Sequence, residues 1–228
     1  MIVECRQLVK VYQEDHISVT AVNKIDLNVD EGEFLSLSGP SGSGKTTLLN
    51  LIGGLDKASQ GEINLAGQRI DQMDRSKLAD LRLAKIGFVF QAYNLLPVLS
   101  ALENVEFIML LQGITSQERR TRAYAILKEV GLEGLEHRRP AELSGGQQQR
   151  VAVARAIVSK PAVVLADEPT ANLDSANSDD LLDLMSHMNR QFGVTFIVAS
   201  HDPRVIEHTS RRIRMLDGQI VEDERVSA

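Results

Sequence analysis

The chain has 228 residues, of which 43% are hydrophobic and 25% are charged. This length and composition suit one domain, or one core with an inserted subdomain. The formal net charge of −6 at pH 7 argues against a broad nucleic-acid footprint, which needs clustered Lys and Arg. No apolar run approaches the ~20 residues of a membrane-spanning helix, and the first residues lack the basic-then-apolar order of a secretory signal. We therefore expect a cytosolic location.

The hydrophobic pattern of the first 91 residues predicts a small antiparallel sheet placed before a nucleotide-binding core. Alternating residues predict an antiparallel sheet from strands at 2–11 and 19–29, joined by a polar loop at 13–18. A buried strand at 34–38 and a helix at 45–53 follow. A hairpin at 61–70, a charged helix at 74–84 and a buried strand at 86–90 complete this half.

The remaining sequence predicts an α/β core with an inserted helical subdomain. From residue 92 to about 160, hydrophobic residues recur every three to four positions, which is typical of helices. Strands at 162–166, 194–200 and 211–216 then alternate with helices at 175–190 and from Pro203. This alternation predicts a mainly parallel sheet that binds ligands at the carboxyl ends of its strands. Without a separating linker, residues 1–228 are expected to form a single domain.

A phosphate-binding loop lies between the predicted strand at 34–38 and the helix that follows it. Gly39, Gly44, Lys45 and Thr46 fit the pattern G-x-x-x-x-G-K-[ST]. Glycines allow backbone N–H groups to face phosphate oxygens, and the start of the helix adds positive potential. We expect Lys45 to reach the outer phosphates and Thr46 to bind Mg²⁺. The expected nucleotide-binding residues here are Gly39, Pro40, Ser41, Gly42, Ser43, Gly44, Lys45, Thr46 and Thr47.

Two further patterns indicate chemistry on a bound nucleoside triphosphate. The apolar strand at 162–166 ends in Asp167, placed to hold Mg²⁺ through its water shell, and Glu168, placed to polarise the water that attacks the γ-phosphate. Ser144, with the two glycines after it, precedes a long helix and forms a second anion site. Two anion sites on one chain predict that one of them acts on a neighbouring molecule.

The segment Leu143 to Arg150 resembles the signature sequence of the ATP-binding-cassette ATPases, and the whole chain resembles a subunit of that P-loop family. In that family two nucleotide domains pack head to tail. The resemblance therefore implies that Ser144, Gly145 and Gly146, with Gln147 in the same signature, serve the ATP bound by Lys45 of a second copy.

The same resemblance implies roles for four single residues. Tyr12 would stack on adenine, and Gln91 would join the Mg²⁺ and water site to the helical subdomain. Asp174 belongs to the segment that crosses the dimer interface. His201 would contact the γ-phosphate and steady the water of Glu168. The expected cofactors are ATP and Mg²⁺.

Residues 90–97 and 101–105, with the polar loop after Tyr12, resemble the branch that exports lipoproteins or macrolides or works with the cell-division permease. The patch at 91–104 is where such subunits receive the coupling helix of an integral membrane permease. The expected partners are therefore permease subunits and a second copy, with no nucleic acid. A permease would place the subunit peripherally on the inner face of the cell membrane and would choose the transported substrate.

Other functions compete with this interpretation. ATP-driven mechanical signalling through a permease would use the same residues, as would a regulatory module that binds ATP and barely hydrolyses it. A soluble cassette protein of DNA repair or translation usually carries a coiled coil or a second cassette, which 228 residues do not hold. A GTPase is suggested by the guanine-reading pattern at 23–26, although that pattern stands upstream of the phosphate loop.

Overall fold

The structure is a computed structural model that describes residues 1–14 and 17–226. Its strands are β1 (Val3–Glu14), β2 (Ile17–Val29), β3 (Phe34–Ser38), β4 (Gln60–Leu65), β5 (Gln68–Arg69), β6 (Ile86–Phe90), β7 (Val163–Asp167), β8 (Phe196–Ala199), β9 (Arg211–Leu216) and β10 (Gln219–Arg225). Its α-helices are α1 (Lys45–Ile52), α2 (Arg75–Lys85), α3 (Ala101–Leu111), α4 (Ser116–Glu129), α5 (Gly145–Ile157), α6 (Ser175–Phe192) and α7 (Pro203–His208).

The predicted antiparallel sheet is confirmed, with the strand order β2-β1-β4-β5. The prediction of a polar loop at 13–18 is wrong for the described residues in that range. Gln13 pairs with Ser18 and Glu14 with Ile17, so β1 and β2 extend through these positions. Residues 15 and 16 lie outside the described residues. The polar side chains misled the prediction, since an antiparallel hairpin satisfies its backbone N–H and C=O groups whatever the polarity of its side chains.

The guanine-reading pattern at 23–26 is part of β2 and stabilises an irregularity in the β1–β2 pairing. The Asp26 carboxylate accepts hydrogen bonds from the backbone and the side-chain amide of Gln7, at 2.8 and 2.5 Å. Gln7 has φ 47° and Lys24 has φ 52°, and the register of the two strands shifts beside them. The pattern is therefore explained by a β-bulge, where an extra residue leaves backbone groups that need another partner.

The second sheet has the strand order β10-β9-β3-β8-β7-β6, and it is parallel except for β10. In this sheet Leu37 pairs with Ala199, Ala199 with Asp167, and Asp167 with Phe90. The carboxyl ends of β3, β8, β7 and β6 are thus level and adjacent. The segments that follow these four strands carry the phosphate loop, His201, Glu168 and Gln91.

Hydrophobic residues on the two faces of this parallel sheet belong to different cores. One face packs with α1 and the antiparallel sheet, and the opposite face packs with α3, α4, α5 and α6. Helices α3 and α4 share one hydrophobic core with α5 and with α6, and α6 lies outside residues 92–160. An inserted helical subdomain with these bounds therefore stays a prediction. At the start of α6, the Asp174 side chain accepts a hydrogen bond from Asn177 N. The helix ends at Phe192, two residues beyond the predicted 175–190, and Gly193 with φ 65° follows as its C-cap.

Phe196 lies in the hydrophobic core between the parallel sheet and the helices α3, α4, α5 and α6. Its side chain is fully buried, and its ring centroid lies 5.4 Å from that of Phe34. We expect Phe196→Ala to lower the free energy of unfolding by ~3–5 kcal/mol, because the surroundings collapse only partly around a lost ring. Urea denaturation followed by circular dichroism measures this change.

Phe192 is a matched control, because it is also a phenylalanine but is 58% exposed at the end of α6. We expect Phe192→Ala to change stability by about 0.5 kcal/mol or less. Equal losses for the two variants would contradict the assignment of Phe196 to the core.

Candidate active site

The phosphate loop depends on a glycine that lies against another strand. Gly44 has φ 98°, and a Cβ atom there would overlap the backbone oxygen of Ala21 in β2. Only glycine combines this backbone conformation with such a close approach. Helix α1 begins at the next residue, Lys45, so its first N–H groups face the loop. The loop is therefore an anion-binding turn at the start of a helix.

The Lys45 side chain is buried inside this loop. Its Nζ donates hydrogen bonds to the backbone oxygens of Gly39 at 2.7 Å and Pro40 at 3.0 Å. No ion pair found among residues 1–14 and 17–226 includes Lys45. The third partner of Lys45 Nζ is the Ser43 hydroxyl, at 3.5 Å. An ammonium group held by uncharged oxygens has no anionic partner, which suits an anionic phosphate.

A cavity of about 680 Å³ opens above the loop. This volume lies within the usual range of small-molecule sites. The cavity is lined by Ala21, Pro40, Ser41, Gly42, Ser43, Gly44, Lys45, Thr46, Thr47, Gln91, Glu168, Ala171 and His201. It therefore brings together the residues 40–47 of the phosphate loop with three residues from the ends of other strands.

Thr46 and Asp167 meet at the floor of the site. The Thr46 hydroxyl donates a hydrogen bond to Asp167 Oδ1 at 3.0 Å. Burial raises the pKa of the Asp167 carboxyl, and the charge of Glu168 adds to the rise, while Thr46 and Lys45 oppose it. A hydroxyl and a desolvated carboxylate beside a phosphate loop are hard oxygen ligands, the kind that Mg²⁺ takes. The residues present therefore fit Mg²⁺, with Gln91 lining the same cavity.

Glu168 is held by two side chains from the segment after β8. The Ser200 hydroxyl donates to Glu168 Oε2 at 2.9 Å, and His201 Nδ1 lies 2.8 Å from Oε1. Glu168 has φ 46°, a backbone conformation that costs free energy in a residue with a side chain. Its N–H donates to the Ala199 oxygen at 2.8 Å. A carboxylate fixed this firmly beside a phosphate site is placed to act as a base.

The residues of the predicted signature, 144–147, lie at the start of α5, apart from the phosphate loop. The Ser144 side chain accepts from Gln147 N at 3.3 Å, and the Gln147 side chain accepts from Ser144 N at 2.9 Å, which is a capping box. A Cβ atom at Gly146 would collide with the side-chain amide of Asn177, on the helix that Asp174 caps. Residues 144–147 and Asp174 do not line the cavity above Lys45.

Tyr12 also lies outside the residues that line the cavity. Its hydroxyl donates to Asp56 Oδ2 at 2.7 Å, and the Lys10 ammonium lies 4.7 Å from the ring centroid. Burial raises the pKa of Tyr12, and its hydrogen bond with Asp56 adds to the rise. The ring remains 39% exposed.

Sequence reasoning missed three residues that shape the site. Ala21 contributes the backbone oxygen that presses on Gly44, Ser200 holds Glu168, and Gln149 donates to the oxygen of Pro169 at 2.7 Å. Ser200 directly precedes the predicted His201, which is the one signal that pointed to it. Gln149 lies within the signature segment 143–150, but its bond to Pro169, like the contact of Ala21 with Gly44, joins residues distant in the chain, and no local pattern predicts such a contact.

Comparisons with known proteins agree with this geometry. The family model described as ABC transporter matches residues 22–171. A lipoprotein-releasing system ATP-binding protein, LolD of Chromohalobacter salexigens, is 44% identical over 223 residues, 98% of this chain and 94% of that protein. An uncharacterized ABC transporter ATP-binding protein of Thermotoga maritima is 44% identical over 216 residues, 95% of this chain and 92% of that protein.

Solved structures extend the likeness to three dimensions. A dimeric post-hydrolysis structure of the ATP-binding cassette MJ0796, bound to ADP and Pi, is 40% identical, with a TM-score of 0.91 and 100% of both chains covered. A second structure, the dimeric bacterial ABC transporter cassette MJ0796, gives the same identity, TM-score and coverage. Within residues 1–14 and 17–226, no helix of our structure is long and apolar enough to cross a membrane.

The family model covers well over half of the chain, and the relatives and structures span nearly all of it. The chain therefore belongs to the ABC transporter family, as an ABC-type ATPase with the α/β fold of the ATP-binding cassette.

Proposed function

We propose that this ATPase dimerises on ATP and drives a membrane permease that exports or extracts a lipoprotein or another amphiphilic substrate. One observation supports the dimer: residues 144–147 begin α5, a helix N-terminus of the kind that favours anions, and they lie outside the cavity of their own chain. The full-length identity to LolD, a lipoprotein-releasing system ATP-binding protein, supports the substrate class.

Within one chain, the proposed roles follow from charge and position. Residues 39–47 bind the phosphates, with the Lys45 ammonium leaving its carbonyl partners for the outer phosphate oxygens. Thr46, Gln91 and Asp167 would hold Mg²⁺, which when bound neutralises phosphate charge. For adenine we propose Tyr12, because its hydrogen bond with Asp56 fixes a partly exposed ring.

For catalysis we propose Glu168 as the base and His201 as its partner. Glu168 accepts the proton of the attacking water, and Ser200 and His201 fix the direction of its carboxylate oxygens. The exposed ring of His201 lines the cavity and would also contact the γ-phosphate. Aligned groups of this kind accelerate reaction by holding the reacting atoms in place.

Dimerisation would complete each site from two chains. Ser144, Gly145, Gly146 and Gln147 of one copy would face the nucleotide on Lys45 of the other, and Asp174 would lie in the segment that crosses the interface. Two ATP molecules held between copies favour the closed dimer, and hydrolysis releases it. The energy reaches a partner as a difference in affinity between these two states.

A groove beside the predicted docking patch at 91–104 supports a membrane partner. It has a volume of about 420 Å³ and is largely apolar, with Asn94 and Leu96 from the patch on its wall. Phe88 and Phe90 stack at its floor, with ring centroids 5.7 Å apart. A concave apolar surface rimmed by the arginines Arg82 and Arg155 suits an amphipathic helix. We propose that a permease helix docks here, with residues 92–160 as the moving lobe, and holds the subunit at the cytoplasmic face of the membrane.

We expect Glu168→Gln to bind ATP and to lower kcat by about 10²- to 10⁴-fold, because it removes a general base and leaves the phosphate loop intact. Steady-state phosphate release measures kcat, and size-exclusion chromatography with ATP shows the trapped dimer. The control is Glu207→Gln, an exposed residue on α7 outside the cavity, which should keep the wild-type kcat. Normal turnover by Glu168→Gln would contradict the role of this carboxylate.

The shared site predicts complementation between two inactive variants. Lys45→Ala removes the phosphate ligand of its own chain, and Ser144→Arg blocks the nucleotide of its partner. A heterodimer of the two retains one intact composite site, so an equal mixture should recover about a quarter of the wild-type sites by random pairing. The rate of phosphate release at saturating ATP, divided by the wild-type rate at equal total protein, measures the fraction of intact sites. A mixture as inactive as either variant alone would contradict the shared site.

If a permease helix docks in this groove, a pull-down from detergent-solubilised membranes with the Glu168→Gln subunit and ATP should retain an ABC permease. Mass spectrometry identifies the retained proteins. Adding Leu96→Asp should remove the permease, because it places a charge in the apolar groove. Val221→Asp, at an exposed position on β10 outside the groove, is the matched control and should retain the permease. Recovery of soluble proteins alone would contradict the permease partner.

A further inference from the structure

Gln149 lies on α5 and is completely buried. Its Nε2 donates to the backbone oxygen of Pro169 at 2.7 Å and lies 3.5 Å from that of Phe90. Because both neighbours are carbonyl oxygens, the amide nitrogen must be the atom that faces them. One glutamine side chain therefore joins the helix of the signature to the segments that follow β7 and β6.

The other end of this amide is not satisfied. Gln149 Oε1 is buried and has no hydrogen-bond donor within residues 1–14 and 17–226. A buried acceptor without a partner lowers stability, and native structures contain few of them. An apolar residue of similar volume would avoid this loss. Stability of the fold therefore does not explain a glutamine at this position.

The position of Pro169 supplies an explanation. Pro169 directly follows Glu168, whose φ of 46° persists only if the surrounding structure holds the backbone. On one side the Glu168 N–H is bonded to the Ala199 oxygen. On the other side Gln149 holds the Pro169 oxygen. The strained residue is thus held from both directions.

We propose that Gln149 is a positioning residue for hydrolysis, which sets the direction of Glu168 through the Pro169 carbonyl and does not touch the reacting atoms. Because Gln149 is on the helix that begins after Ser144, a shift of α5 towards the partner's nucleotide moves the Glu168–Pro169 turn with it. The same amide lies beside Phe90, the residue before Gln91. This inference rests on the proposed role of Glu168 as the base.

The test compares Gln149→Met, which keeps a similar volume and removes the amide, with wild type in steady-state ATP hydrolysis. We expect kcat to fall by about 10- to 100-fold, because misplacing a catalytic group by about 1 Å costs up to this much. The KM for ATP should stay within about twofold, since residues 39–47 are unchanged. In the Glu168→Gln background, Gln149→Met should still form the ATP-trapped dimer. The midpoint of urea unfolding should change little, because the variant removes the unsatisfied Oε1 together with the donor of the Pro169 oxygen, and the two effects oppose each other.

Gln112→Met is the matched control. The Gln112 side chain also donates from Nε2 to a backbone oxygen, that of Leu83 at 2.8 Å, but it is outside the nucleotide cavity. We expect it to keep the wild-type kcat. Gln149→Asn is a second variant, which keeps a polar amide but is one methylene too short to reach Pro169, and should lose kcat as Gln149→Met does.

Three outcomes would overturn the inference. The first is a kcat within about twofold of wild type for Gln149→Met. The second is a fall in its unfolding midpoint that matches the loss of kcat, as a purely structural role would give. The third is an equal loss of kcat in Gln112→Met. The proposed function is tested separately, because Glu168→Gln must be inactive whether or not Gln149 matters, and normal turnover by Glu168→Gln would contradict that function itself.

Discussion

The register of the parallel sheet is the constraint on which the site depends. Hydrogen bonding between β3, β8, β7 and β6 puts Leu37, Ala199, Asp167 and Phe90 in one row. Because parallel strands end at the same edge, the segments after β8, β7 and β6, distant from one another in the chain, meet the phosphate loop that follows β3. A shift of β7 by one residue would turn Asp167 to the opposite face and separate it from Thr46. The buried apolar residues on both faces of the sheet prevent that shift.

Several site residues are held in arrangements that stability alone would not select. Lys45 is buried with uncharged oxygen partners, Glu168 has a left-handed backbone, and Gln149 has an acceptor without a donor among the described residues. Each of these costs free energy in the isolated chain. The two hydrophobic cores supply the stability that keeps such groups in place. The same arrangements leave a positive charge and a fixed carboxylate available to a phosphate ester.

The features that can be predicted from the sequence are those with a local physical signal. The phosphate loop is recognisable because glycine, lysine and threonine must stand at fixed spacing between a strand and a helix. Asp167 and Glu168 are recognisable because two acids end an apolar strand. The extent of β1 and β2 was not predictable, since Gln13 and Ser18 are polar and their pairing is set by the partner strand. The bond from Asp26 to Gln7 and the role of Ser200 likewise depend on neighbours brought together by the sheet.

Helix α5 links the two events that this ATPase must coordinate. Its first residues form the anion site proposed for the partner's nucleotide, and Gln149 on the same helix holds the turn that carries Glu168. If ATP on the partner aligns Glu168 through this helix, then by thermodynamic linkage an aligned Glu168 strengthens the binding of that ATP by the same factor. Hydrolysis would then be fastest in the closed dimer and slow in the separate chains. In the proposed mechanism, a base that depends on the partner in this way would limit ATP consumption to the closed dimer, the state proposed to act on a permease.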